Sequence, residues 1–301
     1  MMRLAITGTA GQAVRSVQEV AATQDVDVIA VGRPELDLEQ PASVLSALAK
    51  LRPDIIVSAA AYTAVDQAEL DPERAYAANA IGAGAVAKAA AHLGVPIIHL
   101  STDYVFDGKK LGGYGELDTP VPLSVYGASK LAGEREIEAA TSDHMILRIG
   151  WLYSPYGKNF LKTMIRQAER VDQVRVVADQ RGGPTSAFEL ARAILVVARR
   201  LQRDPQPALR GIFHLGPPQD ASWAEFATAI FGEYAKRAGK VVCVEHIKAC
   251  EYPSAATRPA NSWLNSIKIG QLHGVRMKPW RACVGEVVDH LVQAHHKEAL
   301  A

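Results

Sequence analysis

Arg3-Leu4-Ala5-Ile6-Thr7 runs straight into Gly8-Thr9-Ala10-Gly11-Gln12-Ala13-Val14, and a helical period follows to about residue 22. A strand that breaks at a glycine turn and opens a helix aims backbone N–H groups and a helix N-terminus at one point, an arrangement suited to a dinucleotide pyrophosphate. A lone Gly-x-x-Gly is usually only a turn. Its weight here comes from position, at the head of a chain that goes on alternating strand and helix. Gly8 and Gly11 are therefore expected at cofactor phosphates. The third glycine of the usual fingerprint is replaced by Val14, so the first helix is expected to stand slightly further from its strand.

Working outward, residues 26–31 form a second apolar run that ends in Gly32-Arg33. An acidic residue after this strand takes a ribose 2′-hydroxyl, whereas an arginine suits a 2′-phosphate, so Arg33 points to NADPH over NADH. A third run, 54–58, enters Ala59-Ala60-Ala61, small residues that let a cofactor approach the backbone and that read equally as helix-forming alanines. A helix is predicted from 72 to about 91, with Pro72 in its first turn and Gly94 near its end. A fourth strand, 96–100, delivers Ser101-Thr102-Asp103-Tyr104, and a fifth, 145–149, ends at Trp151. Open parallel sheets bind ligands beyond the carboxyl ends of their strands, so Gly11, Ala60 and Thr102 should share one crevice. Residues 107–121, rich in Gly and Pro, read as a mobile loop over that crevice.

The pattern predicts an α/β fold, a Rossmann-type doubly wound parallel sheet over residues 1–150. Beyond 150 the alternation loosens, and a smaller C-terminal α/β substrate domain is placed over 151–301, with segments near 186–216 returning to the first sheet. Helices are expected at 159–171, 186–201, 222–238 (Ser222 as N-cap) and from 281 onward, with a strand at 174–178.

Ser124-Val125-Tyr126-Gly127-Ala128-Ser129-Lys130 opens a further helical pattern running to about 140. Tyr126 and Lys130 are one turn apart and share a face. A phenol normally titrates at about 10 and is a poor acid or base at neutral pH. An ammonium one turn away is expected to lower that value. The spacing alone describes an ordinary surface pair; what precedes it in the chain gives it meaning.

Composition excludes several classes. With 49% hydrophobic and 22% charged residues among 301, the chain reads as a globular protein with a large core. A net charge of +1 gives no general attraction to nucleic acid or anionic membranes. No signal peptide or membrane-spanning run is apparent, and Cys243, Cys250 and Cys283 fit a reducing cytoplasm better than a disulfide framework. The nine histidines are scattered apart from His295-His296 in a polar tail, without the spacing of a metal site.

Thr102, Tyr126 and Lys130 on such a scaffold resemble the Ser/Thr, Tyr-x-x-x-Lys set of the short-chain dehydrogenase/reductase superfamily, in its extended, nucleotide-sugar branch. Ala59-Ala-Ala-Tyr-Thr-Ala-Val-Asp-Gln-Ala-Glu69, Ser101-Thr-Asp-Tyr-Val-Phe-Asp-Gly108, Val125-Tyr-Gly-Ala-Ser-Lys-Leu-Ala-Gly-Glu134, Gly183-Pro-Thr185 and Arg258-Pro-Ala-Asn-Ser262 are similar to blocks of the dTDP-4-dehydrorhamnose reductase family, in its order and across nearly the whole chain. The resemblance implies an NADPH- or NADH-dependent oxidoreductase that reduces the C4 ketone of a dTDP-4-keto-6-deoxyhexose, in dTDP-rhamnose and polysaccharide biosynthesis. It implies Gly11, Gln12 and Ala13 at the cofactor phosphates, Asp37 and Leu38 by the adenosine, and Ala61, Tyr62 and Thr63 along the cofactor. Tyr126 and Lys130 would then meet the nicotinamide ribose, and Thr102, Asp103 and Trp151 the sugar. Some members of the family bind Mg²⁺ between subunits through three glutamates; Ser16, Phe188 and Arg281 stand at those positions, so no metal and no Mg-linked homodimer are expected, with Glu189 one residue from Phe188. Two rival readings are a 4,6-dehydratase or epimerase, against which Tyr104 stands where dehydratases carry a glutamate, and a non-catalytic regulatory subunit of the same fold.

Overall fold

A computed structural model describes residues 1–299, with side chains to residue 293, so the side chains of His295 and His296 lie outside the described residues. Six strands, β1 (Met2–Thr7), β2 (Val26–Val31), β3 (Ile55–Ser58), β4 (Ile97–Thr102), β5 (His144–Ile149) and β6 (Gly211–Leu215), form one parallel sheet in the order β6-β5-β4-β3-β1-β2. Around it run α1 (Gln12–Ala21), α2 (Ala42–Leu51), α3 (Ala83–Leu93), α4 (Val125–Ala140), α5 (Phe160–Arg170), α6 (Ala187–Arg203), α7 (Trp223–Ala238), α8 (Ile267–His273) and α9 (Trp280–Ala299).

Every residue of β3, β4 and β5 is buried, because helices cover both faces of the sheet. Alternate side chains serve the two faces. Leu4, Ile6, Ile98 and Leu147 pack with α1, α6 and α8, whereas Ala5, Ile56, Ile97 and Ile146 pack with α2, α3 and α4. The chain passes from β1 to β2 on one side and then returns to lay β3 on the other. That reversal opens a crevice at the carboxyl ends of β1 and β3, the place where open α/β sheets hold ligands.

α5, α7 and α9 build a second apolar cluster with Tyr153, Leu161, Phe226, Trp280 and Val284, flanked by the parallel pair Gln173–Val177 and Cys243–Ile247. Ser222 caps α7 reciprocally: its hydroxyl accepts from the Glu225 N–H (3.1 Å), and its own N–H donates to the Glu225 carboxylate (2.7 Å). β6 pairs with β5 and so belongs to the main sheet. Among the described residues no helix is long and apolar enough to cross a membrane.

Two expectations, the helix over 72–91 and the mobile loop, need correction, and the open choice at 59–61 is decided. The helix expected over 72–91 is interrupted: Pro72–Tyr76 is α-helical, Ala77–Gly82 is a π-helical turn, and only then does α3 begin. The wide turn presents Asn79, whose amide accepts from the Tyr62 N–H (2.8 Å) and donates to the Tyr62 carbonyl (3.0 Å) and the Ser129 hydroxyl (3.0 Å). The alanines at 59–61 are not helical; the Ala59 and Ala60 N–H groups donate to Thr7 Oγ1, at 3.0 Å each, which ties the stretch across the end of β1. The 107–121 loop is pinned rather than free. Tyr114 is buried in its middle, stacks on Phe106 (4.2 Å), donates its hydroxyl to Asp107 (2.9 Å) and pairs with Leu264.

Candidate active site

A cavity of about 610 Å³ opens at the carboxyl ends of the strands. Gly8, Gly11, Gln12 and Ala13 line it from the β1–α1 turn, Ala59, Ala60, Ala61 and Thr63 from beyond β3, Thr102 from the end of β4 and Asp103 just past it, Tyr126 and Lys130 from α4, and Trp151 from beyond β5. A second cavity of about 440 Å³, lined by Arg33, Asp37, Leu38 and Tyr62, shares Gly8, Ala60, Ala61 and Thr63 with the first. The two form one trough from the Arg33 edge to Trp151, the elongated shape a dinucleotide needs. Gly8 sits at φ +98°, which glycine adopts without strain. A Cβ on Gly11 would meet nothing within 4 Å, so its backbone faces open space at the trough. The Gln12 side-chain oxygen Oε1 accepts from the Ser154 hydroxyl (2.9 Å) and the Asn159 side-chain amide (3.0 Å), tying the start of α1 to the smaller lobe.

Two glycines bring α4 to the site. A Cβ on Gly127 would lie 2.2 Å from the Tyr104 carbonyl oxygen, and one on Gly133 2.0 Å from that of Asn79, so the helix packs backbone to backbone on the end of β4 and on the π-turn. Ser124 caps it, accepting from the Gly127 N–H at 3.1 Å. Gly127→Ala must push α4 outward: we expect a loss of about 1–3 kcal/mol in urea unfolding together with a lower kcat, because Tyr126 moves with the helix.

The Lys130 ammonium is buried and donates to the Leu100 carbonyl (2.7 Å), with His99 Nε2 at 3.0 Å. His99 Nδ1 stands 3.0 Å from the Ser58 hydroxyl. Burial, and then the Lys130 charge, hold His99 well below its ordinary pKa, so the neutral ring accepts from the ammonium and its Nδ1–H donates to Ser58. Burial also lowers Lys130, to about 8, against the pull of Glu134. The expected lowering of the Tyr126 pKa by this ammonium is not what the geometry delivers. Burial pushes the phenol up to about 12, and what opposes it is the Thr102 hydroxyl beside it.

The Thr102 hydroxyl accepts from the Tyr104 N–H (3.2 Å) and donates to Asp103 Oδ1 (3.2 Å). Asp103 is buried, and burial raises its pKa from 3.8 to about 7 against the hydroxyls of Ser262 and Thr102. Tyr104 stands edge-on to Tyr126, with ring centroids 6.0 Å apart, and its phenol is pushed up by burial and by the Asp103 charge. Trp151 holds a left-handed backbone at φ +43°, an uncommon state for a bulky residue. Its indole lies flat on that of Trp223 (3.4 Å, 4° between planes), and a Cβ on Gly182 would come within 2.3 Å of the ring.

At the positions considered for a shared metal, Ser16 and Phe188 are buried, and the Arg281 guanidinium lies over the Trp280 ring at 4.3 Å. The neighbouring Glu189 is engaged within the chain, by Arg192 (2.5 Å) and by the Lys278 N–H (3.2 Å). Among the described residues no group of three or more His, Cys, Asp or Glu side chains gathers as a metal site would require.

Sequence reasoning missed Asn79, His99 and Trp223. An asparagine inside an alanine-rich helical pattern is the one local irregularity that signals Asn79. His99 sits within an apolar strand pattern and Trp223 within a helical one, and neither pattern marks them.

The chain matches the family model described as RmlD substrate binding domain over residues 2–293. It is 48% identical over 287 residues to the dTDP-4-dehydrorhamnose reductase of Sinorhizobium fredii, covering 95% of this chain and 97% of that one. To the reductase of the same name from Aggregatibacter actinomycetemcomitans it is 40% identical over 290 residues, covering 95% and 98%. Among solved structures, the Bacillus anthracis dTDP-4-dehydrorhamnose reductase in complex with NADP superposes with a TM-score of 0.89 at 35% identity, over 96% of this chain and 100% of that one.

Proposed function

The chain belongs to the dTDP-4-dehydrorhamnose reductase family, and from that premise we propose that it reduces the C4 ketone of dTDP-4-dehydro-L-rhamnose to give dTDP-L-rhamnose, with NADPH as the preferred reductant. The observation that carries this reading is the meeting of Thr102, Tyr126 and Lys130 in one trough that continues to Arg33. The bound nicotinamide cofactor supplies the hydride. Gly8, Gly11, Gln12 and Ala13 would hold its phosphates, Arg33, Asp37 and Leu38 its adenosine end, and Ala59, Ala60, Ala61, Tyr62 and Thr63 its length.

Tyr126 is the proton donor. With a pKa of about 12 the phenol keeps its proton at neutral pH, the state a reduction requires. Lys130 spends two N–H groups on Leu100 and His99, which leaves one for a ribose hydroxyl. Thr102 stabilises the charge that develops on the ketone oxygen, while Asp103 and Trp151 hold the sugar. Tyr104 cannot replace the acidic residue of a dehydratase, because burial raises its phenol further.

Asp103 sets which way the Thr102 hydroxyl points. Protonated, it donates to Thr102 Oγ1 and frees the Thr102 proton for the ketone; ionised, it takes that proton for itself. Because its pKa is raised to about 7, the productive form prevails below that pH and is lost above it. We expect kcat/KM to fall as pH rises through about 7, and Asp103→Asn, whose amide donates at every pH, to move that fall up to the Lys130 value of about 8.

The division of labour belongs to the same reading: a cofactor domain over 1–150, joined by the stretch near 186–216, and a substrate domain over most of 151–301. The separate apolar clusters of the sheet and of the α5–α7–α9 lobe support it. We place the protein in the cytoplasm, with no nucleic-acid partner and no Mg-linked dimer. The test is direct. The purified chain, given dTDP-4-dehydro-L-rhamnose, should oxidise NADPH and yield a product whose NMR couplings are those of the rhamno configuration. Failure to oxidise either cofactor with this substrate would overturn the reading.

A further inference from the structure

Beside the adenosine end of the trough, two arginines from different elements converge on one carboxylate. Arg33, just past β2, reaches Glu39 Oε1 with Nη2 (2.5 Å) and Asp37 Oδ2 with Nε (3.1 Å). Arg74, on the short Pro72–Tyr76 helix, reaches the other oxygen of the same glutamate with Nε (2.9 Å). All four side chains line the cavity, and Arg74 also lies over the Tyr62 ring at 5.9 Å. The Glu39 N–H donates to Asp37 Oδ1 (3.0 Å), and the Asp37 N–H donates to the Ser43 hydroxyl (3.1 Å), so the loop carrying the glutamate is held independently of the glutamate side chain, whose partners are the two arginines. Two guanidiniums and two carboxylates leave this end of the trough neutral. A 2′-phosphate arriving there meets no net attraction unless one carboxylate leaves. Both arginines are about half exposed, at 58% and 49%, and ion pairs in that setting are held loosely.

We propose that Arg33 and Arg74 form a two-armed clamp for the ribose 2′-phosphate, and that Glu39 is its resident counter-ion, a carboxylate occupying the place between the guanidiniums that the phosphate must take. The inference rests on the reading of this trough as the cofactor site and adds to it a residue, Arg74, that no sequence motif marks. With NADPH the phosphate displaces Glu39 and inherits both arginines, a bidentate partner for each arm. With NADH the Glu39–arginine pairing stays whole, and the 2′-hydroxyl has a carboxylate in reach. One site thus accepts both cofactors, and Glu39 moderates the preference for the phosphorylated one.

The test is binding alone: dissociation constants of the full chain for NADPH and for NADH, by nucleotide fluorescence, in wild type, Arg74→Met and Glu39→Gln. Loss of a charge-assisted contact predicts an NADPH Kd raised about tenfold or more by Arg74→Met, with the NADH Kd little changed. Glu39→Gln, which removes the competitor but keeps the shape, predicts tighter NADPH and unchanged or weaker NADH. In the wild type, added salt should weaken NADPH more than NADH. Arg74→Met shifting both constants equally, or Glu39→Gln leaving NADPH unchanged, overturns the clamp. A wild-type chain that binds neither dinucleotide overturns instead the cofactor reading beneath it.

Discussion

Tyr126→Phe lowers kcat by about 10²- to 10⁴-fold, the range a positioned general acid supplies, and leaves the NADPH Kd close to wild type. Phenylalanine keeps the ring, its edge-on contact with Tyr104 at 6.0 Å and the packing of α4, so only the hydroxyl is removed. The Thr102 proton is committed to Asp103 or to the ketone oxygen, and the Lys130 ammonium is turned toward Leu100 and His99. Steady-state rates with the dTDP-4-keto sugar, beside a fluorescence titration of NADPH, separate the two quantities. Retention of wild-type kcat would remove Tyr126 from the chemistry. Weakened NADPH binding with kcat unchanged would make it a binding group only.

The parts of this site that could be read in the sequence are those whose chemistry is local. The β1–α1 turn announces itself because a glycine must follow an apolar run where the chain turns at positive φ, and Ser222 announces α7 because Glu225 follows at capping spacing. The return of β6 to the main sheet was legible as a short apolar run after a long helix. What stayed hidden depends on residues far apart in the chain. The π-turn exists because Asn79 bonds to Tyr62 and Ser129, so a pattern that reads as one alanine-rich helix is bent by tertiary contacts. Gly127 and Gly133 are poor helix formers by propensity, and only their neighbours, the Tyr104 and Asn79 carbonyls, show why a side chain has no room there. The Tyr126 phenol departs from the sequence expectation because burial raises it, and burial too is set by distant parts of the chain. Spacing set Lys130 on the same helical face, but strand β4 supplied two partners that draw the ammonium away.

Arg148→Met is expected to cost about 3–5 kcal/mol of stability, the penalty for stranding one member of a buried ion pair. Both Arg148 and Glu134 are 1% exposed. The guanidinium donates Nε to Oε1 (2.9 Å) and Nη2 to Oε2 (2.6 Å), and the Ser101 hydroxyl donates to the same carboxylate. Nη1 approaches His214 Nε2 at 3.4 Å, and burial, then Arg148, push His214 down to about 3, so that ring is neutral. The network thus joins α4, which carries Tyr126 and Lys130, to β4 through Ser101, to β5 through Arg148 and to β6 through His214. Methionine keeps the aliphatic volume over Phe106 but leaves the carboxylate facing only Ser101. Urea unfolding of the variant should show the full loss, and kcat should fall with it, because Ser101 adjoins Thr102 and Glu134 lies one turn beyond Lys130. In the double variant Arg148→Met/Glu134→Leu the stranded charge is gone, and much of the loss should return. A single variant that loses less than about 1 kcal/mol, or a double variant no better than the single, would mean that this pair is not what fastens the helix of the proton donor to the sheet.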